Sequence, residues 1–156
     1  MTTVLLPSQG DYQEQLELDE CWSFVYSKAT PIWIWAALCR RTRQIVSFTI
    51  GDRSLAAGQQ LWFNTPEDYR HSYTYSDYWQ PYLGFLDLDC HYQCGKEEGQ
   101  TNHIERFWAT LRNRLGRLTR KTLSFSKALE PLKDILTVFV YNYNHNIFKE
   151  YNSNNR

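Results

Sequence analysis

The chain has 156 residues, a length typical of one domain with its own hydrophobic core, and its 16% aromatic content excludes a disordered chain. The formal net charge is zero, but residues 11–27 hold five acids without Lys or Arg. Residues 106–121 hold five Arg and one Lys without an acid. This uneven distribution predicts a positive surface for phosphates and a separate group of carboxylates.

Two features of the sequence bear on the compartment. The longest apolar run, residues 32–39, is far shorter than the ~20 apolar residues that cross a bilayer. The N-terminal segment has none of the basic and apolar regions of a secretory signal. We therefore expect a soluble intracellular protein without a membrane partner, in which Cys21 and Cys39 are buried thiols. Cys90 and Cys94 lack the second ligand pair typical of a zinc site.

The first half of the chain is rich in strand patterns. Residues 1–14 carry no periodicity and are expected to form a tail. Residues 15–26, 32–40 and 42–50 each have the pattern of a strand. The short polar turns between them predict a three-stranded antiparallel meander. Ser54 then suits the N-cap of a helix over residues 55–63.

The second half alternates strands and helices. A fourth strand is predicted at 73–76, a turn or short helix near 79–85, and a fifth strand within 86–94. A polar loop at 96–100 leads into an amphipathic helix at 101–118, which Thr101 or Asn102 would cap. The helix carries one apolar stripe, formed by Ile104, Trp108, Leu111, Leu115 and Leu118. A last helix is predicted from about 126 to 143, followed by a frayed tail over 146–156.

This order of elements predicts an α/β fold in one domain over residues 15–145. Its centre is a mixed five-stranded sheet that begins with the antiparallel meander and is flanked by helices. Such sheets place functional residues where strands end and helices begin.

Three carboxylates lie where this fold could bring them together: Asp19 in the first strand, Asp77 at the end of the fourth, and Glu105 in the first turn of a late helix. Carboxylate oxygens suit Mg²⁺ or Mn²⁺, and two such ions would support phosphodiester chemistry. Each acid could instead be an ordinary surface residue. Glu17 and Glu20, which flank Asp19, could equally face solvent. Other acids compete for the same role, namely Asp87, Asp89, Glu97 and Glu98.

The chain resembles the catalytic part of insertion-sequence-1 family transposases, which carry an Asp-Asp-Glu triad. The similarity rests on the segments Glu17-Leu18-Asp19-Glu20, Gly51-Asp52-Arg53-Ser54 and Ser76-Asp77, and above all on TNHIERFWATLRNRLGRLTRKTLSFSK at 101–127. It implies an RNase H-like fold and metal-dependent cleavage and transfer of DNA strands. Asp19, Asp77 and Glu105 match the triad positions, and His91 and Lys96 match positions that contact DNA.

The same resemblance implies partners and a setting. Relatives carry an N-terminal region that reads the element ends, often encoded upstream and joined by frameshifting. We expect this chain to lack that region, which an upstream frameshift partner would supply. The substrates would be the double-stranded DNA of element ends and target, in a prokaryotic cytoplasm near the nucleoid. Strand transfer at two ends implies a homo-oligomer.

A run of basic side chains supplies the candidate DNA grip. It consists of Arg106, Arg112, Arg114, Arg117, Arg120 and Lys121, and acids do not interleave with it. A solvated helix face is the alternative interpretation. Two other functions remain open: a catalytically inactive or regulatory DNA-binding remnant, and a nuclease that cuts RNA–DNA hybrids.

Overall fold

A mixed five-stranded sheet with the strand order β3-β2-β1-β4-β5 forms the centre of the protein. The computed structural model describes residues 4–118 and 128–154. The strands are β1 (Gln15–Phe24), β2 (Pro31–Cys39), β3 (Ile45–Gly51), β4 (Tyr73–Ser76) and β5 (His91–Gln93). The helices are α1 (Leu55–Asn64), α2 (Glu67–Arg70), α3 (Asn102–Arg114) and α4 (Leu129–Asn154). Short 3-10 turns lie at Gln80–Gly84, Lys96–Glu98 and Gly116–Leu118.

The pairing of the strands confirms the predicted fold class. β1, β2 and β3 form an antiparallel meander, whereas β4 pairs parallel with β1 and β5 pairs parallel with β4. This arrangement of a mixed open sheet with helices on its faces is compatible with an RNase H-like fold. β1 is the central strand, and the carboxyl end of β4 lies beside the middle of β1, because Glu17 is opposite Tyr75 and β1 continues to Phe24.

Each face of the sheet has its own hydrophobic core. On one face, α3 packs onto β1 and β2 and α4 onto β3, through a core that includes Ile104, Leu111 and Leu136. On the other face, Leu61 of α1 and Tyr82 pack against the inward side chains of the same strands. The alternation of β1 explains this division, because Leu16 and Leu18 point to one face and Cys21 to the other. Cys21 and Cys39 are buried thiols, as predicted.

Several predicted boundaries are wrong, for local reasons. β1 ends two residues early because Tyr26 adopts a left-handed backbone conformation (φ 66°). The fifth strand lies within the predicted range 86–94 and is only three residues long, because Asp87 closes a turn with Asp89 and Cys90 before it. The helix predicted over 101–118 ends at Arg114 and continues as a separate 3-10 turn.

The last helix runs to Asn154, well past the predicted end at Tyr143, so residues 146–154 are helical. Asn144 fixes the helix to β3 near the predicted end. Its buried amide donates to the carbonyl of Ile45 and accepts from the Ile45 N–H, both at 2.8 Å. The predicted tail at 146–156 therefore begins two residues after a side chain that is hydrogen-bonded to β3. The predicted start near 126 lies outside the described residues.

Within residues 4–118 and 128–154, no helix has the length and hydrophobicity of a membrane span.

Candidate active site

One cavity of about 390 Å³ collects the three predicted acids. Asp19 comes from β1, Asp77 directly follows β4, and Glu105 lies in the first turn of α3. The parallel register explains the first pair, because Glu17 lies opposite Tyr75 and each acid follows two residues later. The other lining residues are Glu20, Arg53, Cys94, Lys96, Thr101, Trp108 and Arg112.

Asp19 is the most constrained of the three acids. Its Oδ2 accepts a hydrogen bond of 3.0 Å from the indole Nε1 of Trp108 on α3. Burial, followed by the negative charge of Glu20 and a further contribution from Asp77, raises the pKa of Asp19 to about 7. The cavity thus concentrates negative charge around a partly buried carboxylate.

Asp77 and Glu105 are held more loosely. Asp77 closes a local turn, since its Oδ1 accepts from the backbone N–H of Trp79 at 3.0 Å. Glu105 is exposed, and the Thr101 hydroxyl is 3.5 Å from its Oε1. Within the described ranges, no three His, Cys, Asp or Glu side chains are already arranged around a single metal position.

The start of α3 is capped from another element. The carboxylate of Glu17 on β1 accepts from the backbone N–H groups of His103 and Ile104 at 3.0 and 2.9 Å. The predicted cap by Thr101 or Asn102 is wrong, because Thr101 occupies the N-cap position but its side chain accepts no hydrogen bond from a backbone N–H of the helix. Glu17 satisfies these donors instead, and its negative charge suits the helix N-terminus.

Glu17 also connects the site to its surroundings. Its side chain is 0% exposed and pairs with Arg40 at 3.0 Å and with the imidazole Nδ1 of His103 at 2.5 Å. Since Asp19 lies two residues along β1 and Glu105 lies one turn into α3, Glu17 fixes the strand and the helix that carry these acids. Glu17, Asp19 and Cys21 share the α3 face of β1, because alternate residues of a strand point to the same side.

Of the predicted DNA-binding residues, Lys96 and Arg112 line the cavity. Arg106 and Arg114 are exposed on α3 outside the cavity lining. His91 is half-buried, with its Nδ1 2.9 Å from the Thr74 hydroxyl and its Nε2 3.2 Å from the Ser76 hydroxyl. Burial lowers its pKa. Arg120 and Lys121 lie outside the described residues, as does the side chain of Arg117.

Three features of the site were missed by reasoning from the sequence. These are the capping role of Glu17, the hydrogen bond from Trp108 to Asp19, and the presence of Arg53 in the cavity. The alternation of β1 placed Glu17 and Asp19 on one face, but the partner of each required the packing of α3. Arg53 carried no signal beyond its place in the Gly51-Asp52-Arg53-Ser54 turn.

Comparison with known proteins identifies the family. The sequence over residues 15–147 matches the family described as IS1 transposase. The chain belongs to the IS1 transposase family. It is 37% identical over 125 residues to the insertion element iso-IS1n protein InsB of Shigella dysenteriae, covering 80% of this chain and 92% of that protein.

Other relatives agree. The IS1 protein InsB of Shigella flexneri is 33% identical over 114 residues, covering 73% of this chain and 84% of that protein. The IS1 4 protein InsB of Escherichia coli K12 is 34% identical over 115 residues, covering 73% of this chain and 66% of that protein. The matched region of this transposase includes Asp19, Asp77 and Glu105. Membership of the IS1 transposase family makes DNA the macromolecular partner.

Proposed function

We propose that this chain cleaves and transfers the DNA strands at insertion-element ends, with Asp19, Asp77 and Glu105 as ligands of Mg²⁺ or Mn²⁺. The observation that carries the proposal is the convergence of these carboxylates, from three separate elements, on one cavity. Two of the elements, β1 and β4, are adjacent parallel strands, and α3 packs against β1 and β2.

The donor set fits a hard divalent cation, because every one of the three proposed ligands offers carboxylate oxygens. The raised pKa of Asp19 reflects burial and the neighbouring charges of Glu20 and Asp77, and a cation would relieve that repulsion. When bound, two ions would stabilise the attacking and leaving oxygens of a phosphodiester.

The chain itself supplies position. Trp108 orients the Asp19 carboxylate through its indole N–H. Asp77 is oriented by its turn with Trp79, and Glu17 holds the start of the helix that carries Glu105. Because of these contacts, the three carboxylates need little rearrangement to bind a common metal centre. Such preorganisation favours reaction.

The experiment is cleavage of DNA that carries the element's own ends, with Mg²⁺, with Mn²⁺ and with EDTA. Asp19→Asn, Asp77→Asn and Glu105→Gln should each reduce cleavage to the limit of detection while duplex binding persists. Asp89→Asn is the matched control, since Asp89 is an exposed acid outside the cavity lining, and it should cleave like the unmodified chain.

Two results would change the assignment. Cleavage that survives all three substitutions would remove the triad. Salt-sensitive duplex binding by the unmodified chain without metal-dependent cleavage would favour a regulatory DNA-binding remnant. We further propose that the active form is a homo-oligomer that works with a separately encoded DNA-reading region. Sedimentation of the chain with and without end DNA tests the oligomer.

A further inference from the structure

The turn that follows β3 is fixed from three sides and delivers Arg53 to the cavity. The indole N–H of Trp35 donates to the carbonyl of Asp52 at 2.9 Å. The Ser54 hydroxyl donates to the Asp52 carboxylate and accepts from the N–H of Ala57 at 3.3 Å, which caps α1. The backbone on both sides of Arg53 is therefore held, and its side chain starts from a defined position.

The guanidinium of Arg53 is held as firmly as its backbone. Its central carbon lies 4.5 Å from the ring centroid of Trp33 and 4.8 Å from that of Trp79. Its Nε and Nη2 donate to Oε1 of Glu20 at 2.8 and 2.6 Å, and the other oxygen of Glu20 accepts from the Tyr82 hydroxyl at 2.6 Å. Two aromatic faces and one buried carboxylate thus orient the planar group.

This contact leaves part of the guanidinium available. An arginine has five N–H donors, and the two bonds to Glu20 use two of them. The Glu20 side chain is 1% exposed, whereas that of Arg53 is 38% exposed and lines the cavity. Among the described residues, Glu20 is the residue that accepts side-chain hydrogen bonds from Arg53. The remaining N–H groups can therefore meet a ligand.

The cavity needs a positive group of this kind. Four carboxylates line it (Asp19, Glu20, Asp77 and Glu105), and a DNA phosphate that approaches them meets like charge. Lys96 is exposed on a 3-10 turn, and Arg112 lies on α3 with its Nη2 3.0 Å from the Cys21 sulfur. Arg53 differs from both, because its guanidinium is fixed between two tryptophan rings and paired with Glu20, the neighbour of Asp19. A guanidinium that is already fixed loses little conformational entropy when it binds a ligand.

We propose that Arg53 binds a DNA phosphate at the mouth of the carboxylate cavity, and that Glu20 positions the guanidinium and takes no part as a metal ligand. The inference rests on the proposed function of this cavity. Arginine suits the ligand, because its fork bonds two phosphate oxygens at once. The alternative is that Arg53 only neutralises Glu20, and then its loss would alter stability without altering DNA binding.

The test is the affinity of the chain for a fluorescein-labelled DNA duplex, measured by anisotropy over a range of KCl concentrations in EDTA. Phosphate contacts do not depend on sequence, so an arbitrary duplex serves. Arg53→Ala should weaken binding about tenfold. Log affinity falls as log salt concentration rises, and this negative slope should become shallower by about one in the variant. Arg53→Lys keeps the charge but loses the fork, so it should keep the slope and lose several-fold in affinity.

Arg70→Ala is the matched control. Arg70 also lies over an aromatic ring, that of Phe63, and lines a different cavity, so its loss should leave the slope unchanged. Thermal unfolding of every variant accompanies the assay, and Arg53→Lys carries the test if Arg53→Ala does not fold. EDTA chelates divalent cations, so the assay measures DNA binding in the absence of cleavage. Failure of the proposed metal chemistry would therefore not alter this result.

Three results would overturn the inference. The first is wild-type affinity and slope in Arg53→Ala, or, if that variant does not fold, wild-type affinity in Arg53→Lys. The second is an equal loss of affinity and slope in Arg70→Ala, which would indicate a diffuse positive field. The third is the absence of salt-dependent duplex binding by the unmodified chain.

Discussion

Trp108 donates its indole N–H to the carboxylate of Asp19, across the packed boundary between α3 and β1. The ring itself belongs to the core beneath the helix and contacts Phe107 at 5.0 Å between centroids. One side chain therefore anchors α3 and orients an acid of the cavity. The apolar stripe that binds the helix to the sheet is continuous with the site.

Replacing Trp108 by Phe separates these two roles. The variant keeps an aromatic ring in the core but loses the donor to Asp19. We expect DNA cleavage to fall about 10–100-fold, the range typical of groups that orient metal ligands, with duplex binding retained. Single-turnover cleavage and anisotropy measure the two effects. Trp62→Phe is the control, since Trp62 lies on α1 and packs against the other core. Equal rates of cleavage in the two variants would contradict this role of Trp108.

Replacing Glu17 by Ala should loosen the start of α3. The change leaves two backbone N–H groups and the charged partner Arg40 without their buried acceptor, which typically costs about 3–5 kcal/mol. We expect a corresponding decrease in the free energy of unfolding in urea. The amides of His103 and Ile104 should also lose protection from hydrogen exchange.

A surface ion pair provides the comparison for Glu17. Glu130 pairs with Lys133 on α4, where its side chain is 77% exposed, so Glu130→Ala should change stability by less than about 1 kcal/mol. Unchanged exchange at His103 and Ile104 in Glu17→Ala would show that α3 is held without the carboxylate from β1.

Replacing Gly58 by Ala should destabilise the protein although alanine favours helices. A Cβ at Gly58 would lie 2.3 Å from Cε1 of Phe85, and such overpacking typically costs about 1–3 kcal/mol. Gly116→Ala is the control, because its added Cβ meets no described atom within 4 Å. Thermal unfolding compares the two, and a more stable Gly58→Ala variant would show that Phe85 moves aside freely.

Glu14 should make stability depend on pH. Burial alone would raise its pKa, but hydrogen bonds from Arg41, the Gln9 backbone and Cys39 outweigh burial and lower the pKa below its ordinary value of 4.5. A lowered pKa in the folded state stabilises the fold above 4.5, and this contribution is lost as the pH falls through the folded value. We expect Glu14→Gln to destabilise by about 1–3 kcal/mol at neutral pH.

The pH profile distinguishes this effect from simple loss of packing. In urea unfolding, the difference between Glu14→Gln and the unmodified chain should shrink as the pH decreases below 4.5. A difference that stays constant over that range would mean that the ionised carboxylate contributes nothing specific.

The secondary-structure elements and the location of the three acids could be predicted from the sequence better than the side-chain contacts between distant parts of the chain. The alternation of β1 and the stripe of α3 are local patterns, so the meander and the buried face of the helix could be inferred from spacing. The cap by Glu17 could not, because residues 17 and 103 meet only after the helix docks. Arg53 was missed for the same reason: its two tryptophans and Glu20 come from three other parts of the chain. The contact of Asn144 with Ile45 could not be inferred from spacing either, because it joins α4 to a strand 99 residues earlier.

Exchanging Asp77 for Cys tests metal ligation by the cavity most directly. Thiolate is a poor ligand for Mg²⁺ and a better one for the softer Mn²⁺. In reducing buffer, Asp77→Cys should cleave element-end DNA only when Mn²⁺ replaces Mg²⁺, and Asp77→Ala should cleave with neither ion. Cleavage by Asp77→Ala with Mg²⁺ at the rate of the unmodified chain would contradict the proposal that Asp77 ligates the metal.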